Sequence, residues 1–175
     1  GFTTRFSLFG TASSGQPYSL TYNNARMFND ANSFRSLVYI PEVNDPNVVW
    51  EDPADEAAFN QFVDDNGIQR GEISQRNTFN AAWWTKFDIR VQQQLPGFTD
   101  DHSASAFFVI KNLGNLLNDD WGTLKQVNFR TQSIINPSLN DDGQYVYNSF
   151  NAPNNGVASR DPSLWEVRIG VKYNF

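Results

Sequence analysis

Cysteine is absent from the 175 residues, and with it go disulfides, thiolate nucleophiles and cysteine-held metals. There is a single histidine, His102, which excludes a histidine-based triad and a multi-histidine metal site within the chain. No window approaches the ~20 consecutive apolar residues of a transmembrane helix. That absence does not exclude a membrane, because the strands of a membrane barrel present only alternate apolar residues. Surplus basic charge is also lacking: the formal net charge is −6, which argues against a nucleic-acid partner. No P-loop, dinucleotide fingerprint, G-x-S-x-G or H-E-x-x-H run occurs. Carboxylates are plentiful, yet nothing sets two of them at a catalytic separation. The expectation is therefore no enzyme and no cofactor. The chain starts at Gly1 with neither an initiator methionine nor a signal peptide, so it is expected to be processed or part of something longer.

What the chain does have is aromatic residues, at 15%, and alternation. Residues Trp165 to Phe175 read W-E-V-R-I-G-V-K-Y-N-F. Trp165, Val167, Ile169, Val171, Tyr173 and Phe175 alternate with Glu166, Arg168, Gly170, Lys172 and Asn174. A period of two places these sets on opposite faces of a strand. Ten steps of about 3.3 Å, tilted roughly 40°, rise about 25 Å, the height of the apolar band of an outer-membrane barrel. Aromatic residues stand at both ends of that band, where interface girdles belong.

The same pattern recurs upstream. Phe2 to Leu8 alternates, with Phe9 breaking the split. Trp83 to Leu95 sets Trp83, Thr85, Phe87, Ile89, Val91 and Leu95, interrupted by Gln93, against Lys86, Asp88, Arg90 and Gln92. Ser103 to Leu113 alternates with both faces partly apolar, leaving its inward side open. Pro96-Gly97 and Thr99-Asp100-Asp101-His102 form a short polar turn, in which His102 is read as solvated. Between these strands lie two long polar stretches, Ser14–Ala82 and Gly114–Ser163. Within the first, Asn23 to Asn47 has loop composition with one apolar island, Leu37-Val38-Tyr39-Ile40, and reads as solvated surface. Asp52 as N-cap, Pro53, an apolar stripe at Ala58, Phe59, Phe62 and Val63, and Gly67 as the stop predict one helix there. In the second, Gln144 to Tyr147 predicts a small strand. Asp119, Asp120, Asp141 and Asp142 lack the ligand spacing of a calcium loop and read as plain acidic loop.

The order strand, long loop, strand, short turn, strand, long loop, strand predicts an all-β, antiparallel transmembrane barrel segment. Its layout is the asymmetry of outer-membrane barrels, with periplasmic turns and extracellular loops. Several runs resemble TonB-dependent outer-membrane receptors: S-G-Q-P-Y-S at Ser14–Ser19, Y-I-P at Tyr39–Pro41, R-G-E-I-S-Q-R-N at Arg70–Asn77, D-I-R-V-Q-Q at Asp88–Gln93, N-L-G-N-L-L-N-D-D-W-G at Asn112–Gly122, and the terminal run. They lie in order over nearly the whole chain, and the resemblance is to the Oar-like subgroup, which carries a carboxypeptidase-regulatory-like N-terminal domain. It implies that residues 1–175 are the last four strands of a barrel of about 22 strands. Plug and N-terminal domains have no counterpart. It further implies a cell outer membrane of a Gram-negative bacterium and passage of a large substrate. The implied partners are the remaining strands and plug of the same receptor, outer-membrane lipid, the barrel insertion machinery and an inner-membrane energy-transducing complex.

On this reading Lys86, Asp88, Arg90, Gln92, Glu166, Arg168 and Lys172 face the lumen. Ile169, Val171, Tyr173 and Phe175 form the insertion signal, and deleting Phe175 lowers the assembled amount. Trp50, Trp121, Tyr145 and Tyr147 are the loop aromatics placed to touch ligand. Arginine at Ile169 is expected to be much worse than at Gly170. Protease on intact cells is expected to cut the long loops first. Four strands leave two open edges, so residues 1–175 alone are expected to aggregate. Two alternatives stand beside this reading: a passive or adhesion-type structural barrel, and a soluble carbohydrate-binding β-sandwich.

Overall fold

The computed structural model describes residues 2–23 and 35–175, so positions 24–34 of the expected loop lie outside the described residues. The chain is all-β with a few short helices. In order, the strands are β1 (Thr4–Ser13), β2 (Pro17–Tyr22), β3 (Tyr39–Ile40), β4 (Val48–Trp50), β5 (Glu72–Ile73), β6 (Phe79–Asn80), β7 (Trp84–Pro96), β8 (Ser103–Lys111), β9 (Lys125–Gln126), β10 (Thr131–Leu139), β11 (Tyr145–Phe150), β12 (Val157–Ala158) and β13 (Glu166–Asn174). The helices are α1 (Pro53–Asp65), α2 (Leu113–Leu117) and α3 (Arg160–Ser163). The single stretch expected from the sequence divides into two compact units: Gly1–Gly15, Ala82–Gln126 and Ala158–Phe175 form one, and Gln16–Ala81 with Val127–Val157 the other.

The first unit is built on an antiparallel sheet of order β1-β7-β8-β13. Its register carries the alternation of each strand onto common faces. One face runs Phe6–Val91–Phe108–Ile169 and Leu8–Ile89–Ile110–Val167 across the four strands. The other runs Ser7–Arg90–Val109–Arg168 and Arg5–Gln92–Phe107–Gly170. The side of β8 that its own residues left open is thereby settled. Ala104, Ala106, Phe108 and Ile110 join the apolar face, and Ser105, Phe107, Val109 and Lys111 the polar one. Gln93, the polar residue on the apolar face, is satisfied locally: Thr4 Oγ1 donates to its Oε1, and its Nε2 donates to the Gln94 carbonyl at 2.9 Å. Phe9, which broke the alternation of β1, points to the polar face opposite Asp88.

Within Asn23–Asn47 the second unit corrects the expectation of solvated surface at the apolar island, while Glu42, Val43 and Asn44 stay exposed as expected. Val38 and Ile40, from the apolar island, are fully buried, beside Leu20, Tyr22, Phe59, Ile134, Ile135 and Tyr147. Each such side chain contributes roughly 1.5–3 kcal/mol by leaving water. The long polar stretches therefore supply the strands of one mixed sheet, of order β4-β11-β10-β2-β6, with β2 parallel to β10 and β4 parallel to β11. Strand β10 was not visible in the sequence because Pro137 stands inside it. Proline has no N–H to donate, and the register shifts at Asn136/Pro137 to accommodate it.

Helix α1 forms as its signals predict. Asp52 Oδ1 accepts from the Ala54 N–H at 2.8 Å, and Gly67 follows the end at φ +59. Its buried Phe59 and Val63 close the core, Phe59 meeting Phe150 edge-on at 5.4 Å and Trp50 at 5.2 Å. Arg70 locks the helix from outside, donating to Asn60 Oδ1 at 2.7 Å and pairing with Asp64 at 2.8 Å.

Candidate functional site

The two-faced sheet of the first unit is the candidate site. Lys86, Asp88, Arg90, Gln92, Glu166, Arg168 and Lys172 all share its polar face, joined by Arg5 and Lys111. The two carboxylates stand toward one end of that face. Glu166 pairs with Lys111 at 3.2 Å and with Arg168. Asp88 lies 3.6 Å from Lys86 and accepts the Asn112 backbone N–H at 2.8 Å. Among the described residues Arg90 meets no carboxylate; it donates to Gln92 Oε1 at 3.2 Å and lies over the Phe107 ring, 5.2 Å from its centroid. The Phe107 ring also covers Gly170, where an added Cβ would run into it. Gly170 is thus not the tolerant control site expected from alternation: any side chain there must displace Phe107.

The apolar face carries Ile169, Val171 and Tyr173 of the expected insertion signal. Ile169 is 77% exposed and Phe175 nearly fully exposed. The Tyr173 hydroxyl lies 2.7 Å from His102 Nδ1 and accepts the Phe98 N–H at 3.1 Å. His102, read as simply solvated, instead pins the last strand to the short turn between β7 and β8. The Phe98 ring packs beside the same tyrosine, 5.3 Å between centroids.

The run N-L-G-N-L-L-N-D-D-W-G turns out to be a hydrogen-bonded knot. Buried Asn112 sits in the left-handed region (φ 52) and donates to the carbonyls of Gly122 at 3.0 Å and Ser163 at 2.6 Å. The Gly122 carbonyl also accepts from Trp84 Nε1 at 2.9 Å, and Asn115 Nδ2 donates to the carbonyls of Asp119 and Trp121. Gly122 has φ +63, and an added Cβ would collide with the Asn112 amide. Gly122→Ala should cost about 2 kcal/mol or more, combining left-handed strain with that collision. Urea unfolding of the alanine variant against the native chain, followed by Trp84 fluorescence, checks this. Asp119 and Asp120 belong to this knot, and Asp141-Asp142-Gly143 to the hairpin turn before β11, where the Gly143 N–H reaches the Asn140 carbonyl at 3.1 Å. Among the described residues, no group of three or more histidine, aspartate or glutamate side chains is placed to hold a metal.

The four aromatics expected to meet ligand separate. Tyr147 is 0% exposed: its hydroxyl lies 2.8 Å from that of Tyr22 and donates to the Tyr39 carbonyl at 2.7 Å. Trp50 is partly buried against Phe59 and Tyr147. Tyr147 holds the core together and is corrected to a structural residue, while Trp50 packs on that core and keeps part of its surface open. Trp121 stays exposed in the first unit, and Tyr145 lines a cleft of about 580 Å³ with Tyr22, Leu37, Tyr39, Asn47 and Ile73. This cleft was not legible in the sequence, because its lining is gathered from segments far apart in the chain.

Burial pushes the Tyr147 hydroxyl well above the usual tyrosine range, helped by Tyr22 beside it; burial also raises Tyr22, against the lowering effect of its hydrogen bonds to Tyr147 and Tyr39. A raised folded-state value stabilises fully below the unfolded value of about 10 and is lost as pH rises beyond it. The second unit should therefore unfold on alkaline titration in one step with tyrosinate absorbance. Tyr147→Phe should cost about 1–3 kcal/mol at neutral pH by leaving the Tyr39 carbonyl unpaired, and should flatten that alkaline dependence. On the surface, Asp45 accepts from the Asn47 N–H at 2.9 Å and from the Tyr39 hydroxyl at 2.7 Å, which holds its carboxyl below the ordinary range.

Comparison with protein families, with characterised proteins and with solved structures finds no match to this chain.

Proposed function

We propose that this chain is part of the barrel wall and surface loops of a TonB-dependent outer-membrane receptor that moves a large substrate across the outer membrane. The observation that carries this reading is the four-stranded sheet itself. It has one continuous apolar face left exposed, one charged face, and β1 and β13 as end strands each paired on a single side. In water such an apolar face is unusual, since monomers seldom expose more than a few hundred Å² contiguously. Against lipid it is the required outer surface of a barrel, with hydrated charges inside. The end strands are then completed by further strands of the same barrel. The second unit lies outside the cell, and its cleft is where a large substrate first makes contact.

The lack of cysteine makes the test clean. Single cysteines at Phe6, Phe108, Ile169 or Val171 should resist a water-soluble maleimide in isolated outer membranes and react with a lipid-phase one. Cysteines at Ser7, Arg90 or Arg168 should show the reverse. Protease on intact cells should spare the turn at 97–102. Equal labelling of both faces, or recovery of the chain in the soluble fraction, would overturn the reading.

A further inference from the structure

The polar face of the sheet is cationic out of proportion to the chain. The whole sequence has a formal net charge of −6, yet among the described residues only Asp88 and Glu166 answer the lysines and arginines gathered there. Both carboxylates are taken by Lys86, Lys111 and Arg168. Toward the other end, Arg5 on β1 and Lys172 on β13 make no ion pair or side-chain hydrogen bond among the described residues. Asp100 and Asp101 of the neighbouring turn pair with neither. Three strand spacings and an offset of two residues, roughly 16 Å in all, separate the backbones of Arg5 and Lys172. Their side chains nonetheless line one hollow of about 320 Å³ with Gln92, Gln94, Ser105 and Asn174.

From this placement we propose that the polar face binds an acidic polypeptide segment, with Arg5 and Lys172 taking two of its carboxylates and the intervening amides and hydroxyls its peptide groups. The shape of the site separates this ligand from a phosphate. The strand N–H groups across the hollow belong to the sheet ladder, so none gathers into the cradle that holds a compact dianion. The free cations are spread across the sheet instead of converging on a point. Gln92, Gln94, Ser105 and Asn174 both donate and accept, which suits a backbone and not an oxyanion. The proposal rests on charge placement and holds whether or not the opposite face meets lipid.

The test uses the full chain in detergent micelles and a fluorescent peptide of alternating Asp and Gly, with an Asn–Gly peptide, inorganic phosphate and polyphosphate as competitors. The acidic peptide should bind, weaken as salt is raised, and be displaced by neither the Asn–Gly peptide nor phosphate. The double variant R5Q/K172Q should bind it roughly tenfold more weakly. K172R should bind as the native chain does, and R160Q, which removes a cation elsewhere on the first unit, should change nothing. Circular dichroism verifies equal strand content in every variant. Equal affinity for the Asp and Asn peptides, native-like binding by R5Q/K172Q, or preference for polyphosphate would overturn the proposal.

Discussion

Arginine at Leu8 should abolish most assembly of this chain into an outer membrane, whereas arginine at the next residue, Phe9, should leave it intact. The two are neighbours on β1 and equally open, 70% and 67% exposed. In water, two such substitutions would both fall within about ±0.5 kcal/mol. Their surroundings differ across the sheet. Leu8 continues the row of Ile89, Ile110 and Val167, whereas Phe9 stands opposite Asp88 on the charged face. If the first face meets hydrocarbon, an arginine there costs about 2–4 kcal/mol near the midplane. At Phe9 it gains a carboxylate neighbour. The measurement is the folded, membrane-inserted fraction of each variant after expression or refolding into vesicles. A soluble sandwich predicts equal behaviour, so matched tolerance at the two positions decides against the barrel wall. The pair replaces the comparison of Ile169 with Gly170, which Phe107 spoils.

The second large effect lies in the other unit. Phe59→Ala should cost about 3–5 kcal/mol, because it removes a fully buried ring that touches Trp50, Tyr147 and Phe150. A compact domain has only 5–15 kcal/mol to lose. The native unit should resist protease over most of Gln16–Ala81 and Val127–Val157, and Phe59→Ala should render the same residues quickly cleaved. This revises the expectation that the long polar stretches are cut first: buried strands are poor substrates until they open. Limited proteolysis with fragments identified by mass checks it. Fast cleavage of the native chain inside β10 or β11 would show that the core does not hold.

Alternation was the part of this protein that needed no tertiary structure. In Trp165–Phe175 and Trp83–Leu95 each residue's side of the strand follows from a period of two, a local property of the backbone, and β13 and β7 were legible within a residue or two. Helix α1 was equally legible, since Asp52, Pro53 and Gly67 act on neighbouring N–H and C=O groups. Register is not local. Which side of β8 joins the apolar face, and that Phe107 lies over Gly170 and under Arg90, depended on how four strands line up. The core of the second unit was hidden for the same reason. Tyr22, Val38, Phe59, Ile135 and Tyr147 are scattered through polar sequence, and only the parallel pairings of β2 with β10 and β4 with β11 bring them together. The residues of the cationic hollow likewise come from both ends and the middle of the chain. Local pattern assigns a side chain to a face, but only the assembled sheet decides what stands beside it, and here that decided which charges are paired and which are left free.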